Sequence, residues 1–263
     1  MKPALRSSPR HTVPAVTKAI DLLRMLAEEP GETSTKALAF RLGIPKSTCY
    51  RILRSLIARD WVRPQPGGSH ELSLGLLPLL TRFRQVEALA RTLQPALETL
   101  AAETRLTAKA SVRQGESAVT IARCESPEGT SVAVRIGASF HLAFGSSGTV
   151  LLSDLRPSEV EELLARAPAD CWRLQNREQV AKRLRELKSK GWCCDLGTFR
   201  PACHAVSAPV TTATGGIAAA LSVIGFSHEV TKDRIPGLGK TLIAAAEAGS
   251  AAFQLDASPA MPP

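Results

Sequence analysis

A chain of 263 residues, 44% apolar and 22% charged, has the composition of a globular protein and room for one large or two ordinary domains. No apolar run is long enough to span a membrane and no apolar stretch of signal-peptide type follows the N-terminus, so a cytoplasmic protein with no membrane partner is expected. The net charge of +9 is concentrated at one end: residues 1–66 hold 12 Lys/Arg against 5 Asp/Glu, while the other 197 hold 21 against 19. That imbalance fits a polyanionic partner, although a merely solvated basic face would give the same count.

Residues 1–12 are rich in Pro, Ser and Arg and read as a disordered basic arm. Pro14 to Glu28 places Val16, Ala19, Ile20, Leu23, Leu26 and Ala27 at helical spacing, and Pro30-Gly31 ends the helix. Ser34 or Thr35 can cap a second helix with Leu38, Ala39 and Leu42 on its apolar face, and Gly43 suits a left-handed C-cap. Pro45 suits the first turn of a third helix. This helix buries Cys49, Ile52, Leu53, Leu56 and Ile57, and its other face carries Lys46, Ser47, Tyr50, Arg51 and Arg54. Long cations and hydroxyls on one side of a helix are what reach phosphates and base edges. Two short strands around Pro64–Gly68 then form a hairpin, a wing from which Arg63 or His70 can touch a nucleic-acid backbone. The elements from 13 to 75 read as a winged helix-turn-helix; a three-helix bundle with a basic exterior is the plain alternative.

Residues 76–104 are leucine-rich and predict a helical connector, about 40 Å long counted from Gly75, with a break near Pro95 and a second chain as partner. From 105 to 254 the pattern changes. Lys109–Arg113, Ala118–Cys124 and Ser131–Ile136 read as strands, separated by Gln-Gly-Glu and Pro-Glu-Gly turns. Gly145–Leu155, Glu159–Arg166 and Arg177–Lys190 read as helices, Ala202–Thr211 and Gly216–Gly225 as paired strands, and Asp233–Phe253 as a last helix. Strands with segregated helices indicate an α+β sensor-like domain. Residues 255–263 read as a disordered tail.

Six cysteines, at 49, 124, 171, 193, 194 and 203, do not have the spacing of a disulfide framework and fit a reducing cytoplasm. Cys193, Cys194, Cys203 and His204 could in principle hold a metal, but adjacent strand residues point to opposite faces, so buried thiols are the simpler reading and no metal or cofactor is expected. No nucleophile, base and orienter occur together, and neither a G-x-S-x-G elbow nor a P-loop is present, so no enzyme is expected. A hydrolase built on the second domain, or an architectural DNA-binding protein without an effector, are the competing classes. Ser146-Ser147-Gly148 opens a helix, where free amides and hydroxyls can hold a carboxylate; simple capping by the serines is the other reading.

The run TKAIDLLRMLAEEPGETSTKALAFRLGIPKSTCYRILRSLIARDWV, above all Gly43–Thr48 with Tyr50-Arg51-Ile52-Leu53, resembles the winged helix of the IclR family of bacterial transcription regulators. The resemblance extends over about residues 13–254 through RIGASFHLAFGSSGTVLLSDL, KSKGWCCD, AVSAPV and GGIAAALSVIGF. It implies a winged helix-turn-helix joined by a linker helix to a GAF-like α/β effector-binding domain. It also implies a homodimer or homotetramer on double-stranded operator DNA, and control by a small organic acid. The expected role is a repressor of a neighbouring catabolic operon, with an activator as the alternative. Lys46, Ser47, Thr48, Tyr50, Arg51 and Arg54 stand at DNA-contacting positions, with Thr35 on the second helix and Arg63 on the wing completing the set. Ser146, Ser147 and Gly148 match the helix start that holds the effector carboxylate, and Asp195 and Ser222 match polar pocket positions. Thr149 departs from the usual lysine, Leu196–Pro201 from the usual acidic-glycine loop, and Ala205 and Ile224 from polar residues. With Phe140 and Phe144 nearby, these departures favour an aromatic or larger acid over glyoxylate or pyruvate.

Overall fold

The computed structural model describes residues 12–28, 33–127 and 131–256, which divide between Arg84 and Gln85 into two units. The expected basic arm, apart from Thr12, the helix stop at Pro30-Gly31, most of the Pro-Glu-Gly turn and the tail from residue 257 lie outside the described residues.

The first unit contains α1 (Pro14–Glu28), α2 (Thr35–Leu42), α3 (Lys46–Ile57) and a hairpin of β1 (Val62–Pro64) and β2 (His70–Leu72). Ser34 caps α2, its Oγ accepting from the Ala37 amide at 3.2 Å. Gly43 closes the helix at φ 62°, and the amides of Gly43 and Ile44 return to the carbonyls of Phe40 and Ala39. Pro45 stands one position earlier than the sequence suggested. Its ψ of 140° is extended, so it is the N-cap of α3, and its carbonyl accepts the Thr48 and Cys49 amides. Leu22, Leu38, Ala39, Cys49, Ile52, Leu53, Leu56 and Val62 form the core of this unit, each large apolar side chain contributing roughly 1.5–3 kcal/mol.

The expected connector is not one helix. A 3-10 turn at Leu74–Leu76, a single turn α4 (Leu77–Leu80) and another 3-10 turn at Thr81–Phe83 precede α5 (Arg84–Thr104). The break thus falls before residue 84, and α5 runs through Pro95 uninterrupted. An interior proline costs about 3 kcal/mol, but Leu89, Leu93, Leu97, Leu100 and Ala101 anchor one side of α5 in the core of the second unit and offset that cost.

The second unit is built on a six-stranded antiparallel sheet in the order β5-β4-β3-β8-β7-β6. Its strands are β3 (Thr107–Gln114), β4 (Ser117–Cys124), β5 (Ser139–His141), β6 (Cys193–Leu196), β7 (Cys203–Thr211) and β8 (Ile217–Phe226). Alternation assigns the two faces. Ala108, Ala110, Val206, Ala208, Leu221 and Val223 pack with α5 and α9 (Ile235–Asp256). Ala118, Ala220 and Cys193 pack with α6 (Gly145–Leu152), α7 (Pro157–Ala165) and α8 (Arg177–Lys190). The strand expected at Ser131–Ile136 does not form. The chain turns at Ile136-Gly137 and joins β4 only afterwards, with the Thr120 amide bonded to the Ala138 carbonyl, so β5 takes the edge place instead. Residues 131–136 have strand-like alternation without a strand to pair with; the Val134 carbonyl is held by the Arg123 side chain.

Candidate functional site

On α3, Lys46, Ser47, Tyr50, Arg51 and Arg54 are exposed along one side, Tyr50 by 54%, while Thr48 is half-buried and Cys49 lies in the core. Among the described residues Lys46, Arg51 and Arg54 form no ion pair, so their charge is available to an external anion. Arg63 is differently placed: it pairs with Glu71 directly across the hairpin. His70 does not reach outward. Its backbone amide donates to Thr33 Oγ1 at 3.0 Å and its ring Nδ1 meets the Thr33 carbonyl at 3.1 Å, which ties the wing to the residue before Ser34. Thr35 is half-buried at the start of α2.

In the second unit, α6 starts at Gly145 with Phe144 as N-cap. By helix geometry Gly148 has the first amide bonded within the helix, which leaves the amides of Ser146 and Ser147 free. Ser146 Oγ lies 2.7 Å from Ser207 Oγ, which lies 2.7 Å from Ser222 Oγ, so a chain of three buried hydroxyls joins α6 to β7 and β8. Ser207 links two residues that the sequence had singled out and was itself missed. Ser147 is buried, but its hydroxyl keeps some accessible surface and engages no protein group among the described residues. Gly148 has a packing reason as well: a Cβ there would stand 2.3 Å from the Leu142 carbonyl oxygen.

Phe140 and Phe144 are brought together by a third ring, Phe199, with centroids at 5.1 and 4.6 Å. All three are half-buried, as are Ala205 and Ile224, which stand opposite each other on β7 and β8. The sequence reading left Phe199 in a loop without a role. Lys109 was also missed as a site residue. It stands opposite Ser222 on the α6 side of the sheet, with its ammonium 4.7 Å from the Phe140 centroid.

Asp195 lies near Gly145 but is occupied. Oδ1 accepts from the Thr198 amide at 3.1 Å and from the Thr198 hydroxyl, and Oδ2 accepts from the Phe199 amide at 3.3 Å. Arg183 of α8 stands 4.0 Å away, and also donates to Thr149 Oγ1, Gln175 Oε1 and the Ala143 carbonyl. A cation therefore does stand beside position 149, but α8 supplies it. Burial holds the Arg183 guanidinium below its usual range, with Asp195 opposing the shift.

Cys193 is buried against the Ser146 carbonyl at 3.5 Å, and burial pushes its thiol far up. Cys194 is half-buried and packs toward the opposite core. The His204 ring is held by the Val230 carbonyl at 2.8 Å. Among the described residues no group of three or more His, Cys, Asp or Glu is placed to hold a metal ion, and no helix is long and apolar enough to cross a membrane.

Residues 15–66 match the IclR helix-turn-helix domain and residues 84–251 match the bacterial transcriptional regulator IclR C-terminal family. The chain belongs to the IclR family. It is a DNA-binding transcriptional regulator of α+β fold and not an enzyme. It is 28% identical to the HTH-type transcriptional regulator RhmR of Escherichia coli (strain K12), over 84% of this chain and 86% of that one. It is 24% identical to the HTH-type transcriptional repressor AllR of the same organism, over 93% and 92%. Among solved structures it is similar to an IclR homolog complexed with 4-hydroxybenzoate from Microbacterium hydrocarbonoxydans. The TM-score is 0.69 at 18% identity, covering 92% and 99% of the two chains, and this likeness speaks to the fold alone.

Proposed function

We propose that this IclR-family regulator is a cytoplasmic repressor that leaves its operator when an aromatic carboxylate binds in the second unit. The observation that carries the reading is the cluster of Phe140, Phe144 and Phe199 beside the start of α6, with Ala205 and Ile224 exposing further apolar surface on the same side of the sheet. Apolar walls with a few polar groups are the usual make-up of a small-molecule site. Ser146, Ser147 and Gly148 lie at its edge, and Asp195 and Ser222 support it from behind through their hydrogen bonds. The complex of the Microbacterium homolog with 4-hydroxybenzoate is in keeping with this ligand class.

On the DNA side, Lys46, Arg51 and Arg54 supply phosphate or base contacts, Ser47, Thr48 and Tyr50 add hydrogen bonds, and Thr35 and Arg63 approach the backbone. A homodimer, or a tetramer of two such dimers, would set two copies of α3 about 34 Å apart on a near-palindromic operator. Residues 13–75 form the DNA-binding domain, 76–104 the connector and 105–254 the effector domain. The effector acts only in so far as it binds the operator-competent and operator-incompetent states with different affinity. Repression is in keeping with the AllR relative.

Thermal-shift titration with benzoate, larger aromatic acids, glyoxylate and pyruvate tests the ligand class. Stabilisation by aromatic acids is expected, and stabilisation by the small keto acids alone would refute it. Deleting the gene should raise transcription of its neighbour; a fall would make the protein an activator.

A further inference from the structure

Lys109 is 7% exposed, in the buried part of β3, where it follows Thr107 and Ala108 and precedes Ala110 and Ser111. A buried ammonium is ordinarily paired with a carboxylate or saturated with hydrogen-bond acceptors. Lys109 has neither: among the described residues its Nζ, which keeps some accessible surface at the end of the buried side chain, makes no ion pair and no hydrogen bond, and it stands over the face of Phe140. The charges around it make this more unusual. Arg123, opposite on β4, is a second cation whose own partners are Glu125 and the Val134 carbonyl, and Arg200 lies over the ring of Phe199 at 5.5 Å. The nearby carboxylate of Asp195 is taken by Arg183, Thr198 and Phe199. Two residues along β3, and so on the same face, Ser111 carries a fully buried hydroxyl with no partner among the described residues. An ammonium and an unpaired hydroxyl thus share a sheet face, the ammonium resting on the ring that heads the Phe140, Phe199 and Phe144 cluster, and among the described residues no carboxylate pairs with it.

We propose that Lys109 is the counter-charge for the effector, pairing with the carboxylate of an aromatic acid whose ring packs on Phe140, Phe144 and Phe199. This deepens the proposed function and rests on it, but it moves the anion from the start of α6 to β3. One detail favours that move: Ser146 Oγ is already engaged with Ser207. Burial and the nearby Arg200 also hold the Lys109 ammonium down at about 8, a cost that a bound carboxylate would reverse.

The test compares benzoate with its neutral isostere benzamide by calorimetry on the full-length protein. The wild type should prefer benzoate by at least tenfold, Lys109→Met should abolish the preference, and Lys109→Arg should keep most of it. An undiminished preference in Lys109→Met overturns the role of Lys109 while leaving the aromatic-acid reading intact. Failure of the wild type to bind any aromatic carboxylate overturns both. Should Lys109→Met not fold, the wild type alone decides: titrated at pH 9 in buffers of different ionisation enthalpy, it should take up nearly one proton per benzoate bound, and binding without uptake refutes the assignment.

Discussion

Arg183 of α8 and Asp195 of β6 face each other at 4.0 Å with both side chains only 5% exposed. Such a pair is costly to desolvate, and the polar groups around it carry much of the compensation. Thr149, Gln175 and the Ala143 carbonyl take the guanidinium, while Thr198 and the Phe199 amide take the carboxylate. The pair therefore fixes the loop that presents Phe199.

Removing both members should cost less than the two single removals added together. Asp195→Ala or Arg183→Ala is expected to cost about 3–5 kcal/mol by leaving a buried charge unpaired. The double variant should lose clearly less than the sum of the two. Urea denaturation of the four proteins gives the coupling energy, and additivity would show the two groups to be independent.

Lys109 should leave a mark on stability against pH in the unliganded protein. Below about pH 8 it is charged both folded and unfolded, and burial costs its full penalty. Between about 8 and the ordinary 10.5 the unfolded chain retains a proton that the folded chain has lost, so stability rises with pH across that window. Relative to Lys109→Met, the wild type should gain on the order of 3 kcal/mol between pH 7 and pH 10.5. A flat difference in chemical denaturation would place the titration elsewhere.

Arg51→Ala should weaken binding to an operator selected from random duplex by about 1–3 kcal/mol if the side chain reads a base, and should relax the sequence preference at one position. Lys46→Ala, if Lys46 contacts a phosphate, should weaken all duplexes alike and reduce the salt slope by about one. Fluorescence anisotropy at several salt concentrations separates the two outcomes. Unchanged affinity in both variants would move the DNA contact away from α3.

Gly148→Ala should destabilise the second unit by at least about 1–3 kcal/mol, because its Cβ would stand 2.3 Å from the Leu142 carbonyl, a backbone atom that cannot swing aside. Calorimetry should show the loss in the melting of this unit. An unchanged midpoint would mean that α6 can shift at little cost.

The local parts of this fold were legible in the sequence. α1, α8 and the Gly43 cap stand where spacing and capping residues put them, because helical periodicity and turn chemistry act over a few residues. Non-local pairing was not legible. Ser131–Ile136 alternates like a strand and is not one, because a strand needs a partner and β4 takes up residues 139–141 instead. Pro95 looked like a break and is not, because α5 is anchored by a leucine face that its own propensities do not reveal. The candidate site divides in the same way. Ser146, Ser147, Phe140 and Phe144 were read from a continuous stretch, whereas Ser207, Phe199, Arg183 and Lys109 join them only through strand register and helix packing. One signal was available, a lone lysine among the small and apolar residues of Thr107–Val112.

The two bonds between His70 and Thr33 carry a mechanical consequence. They clasp the hairpin to the residue preceding the Ser34 cap of α2, so the wing cannot swing without disturbing that helix. If Arg63 and the α3 cations meet DNA as proposed, the distance between them is then a fixed gauge, set before any duplex arrives. A site whose groove and flanking backbone do not fit that gauge must itself bend or be passed over, so that the stiffness of the DNA becomes part of what this small domain measures.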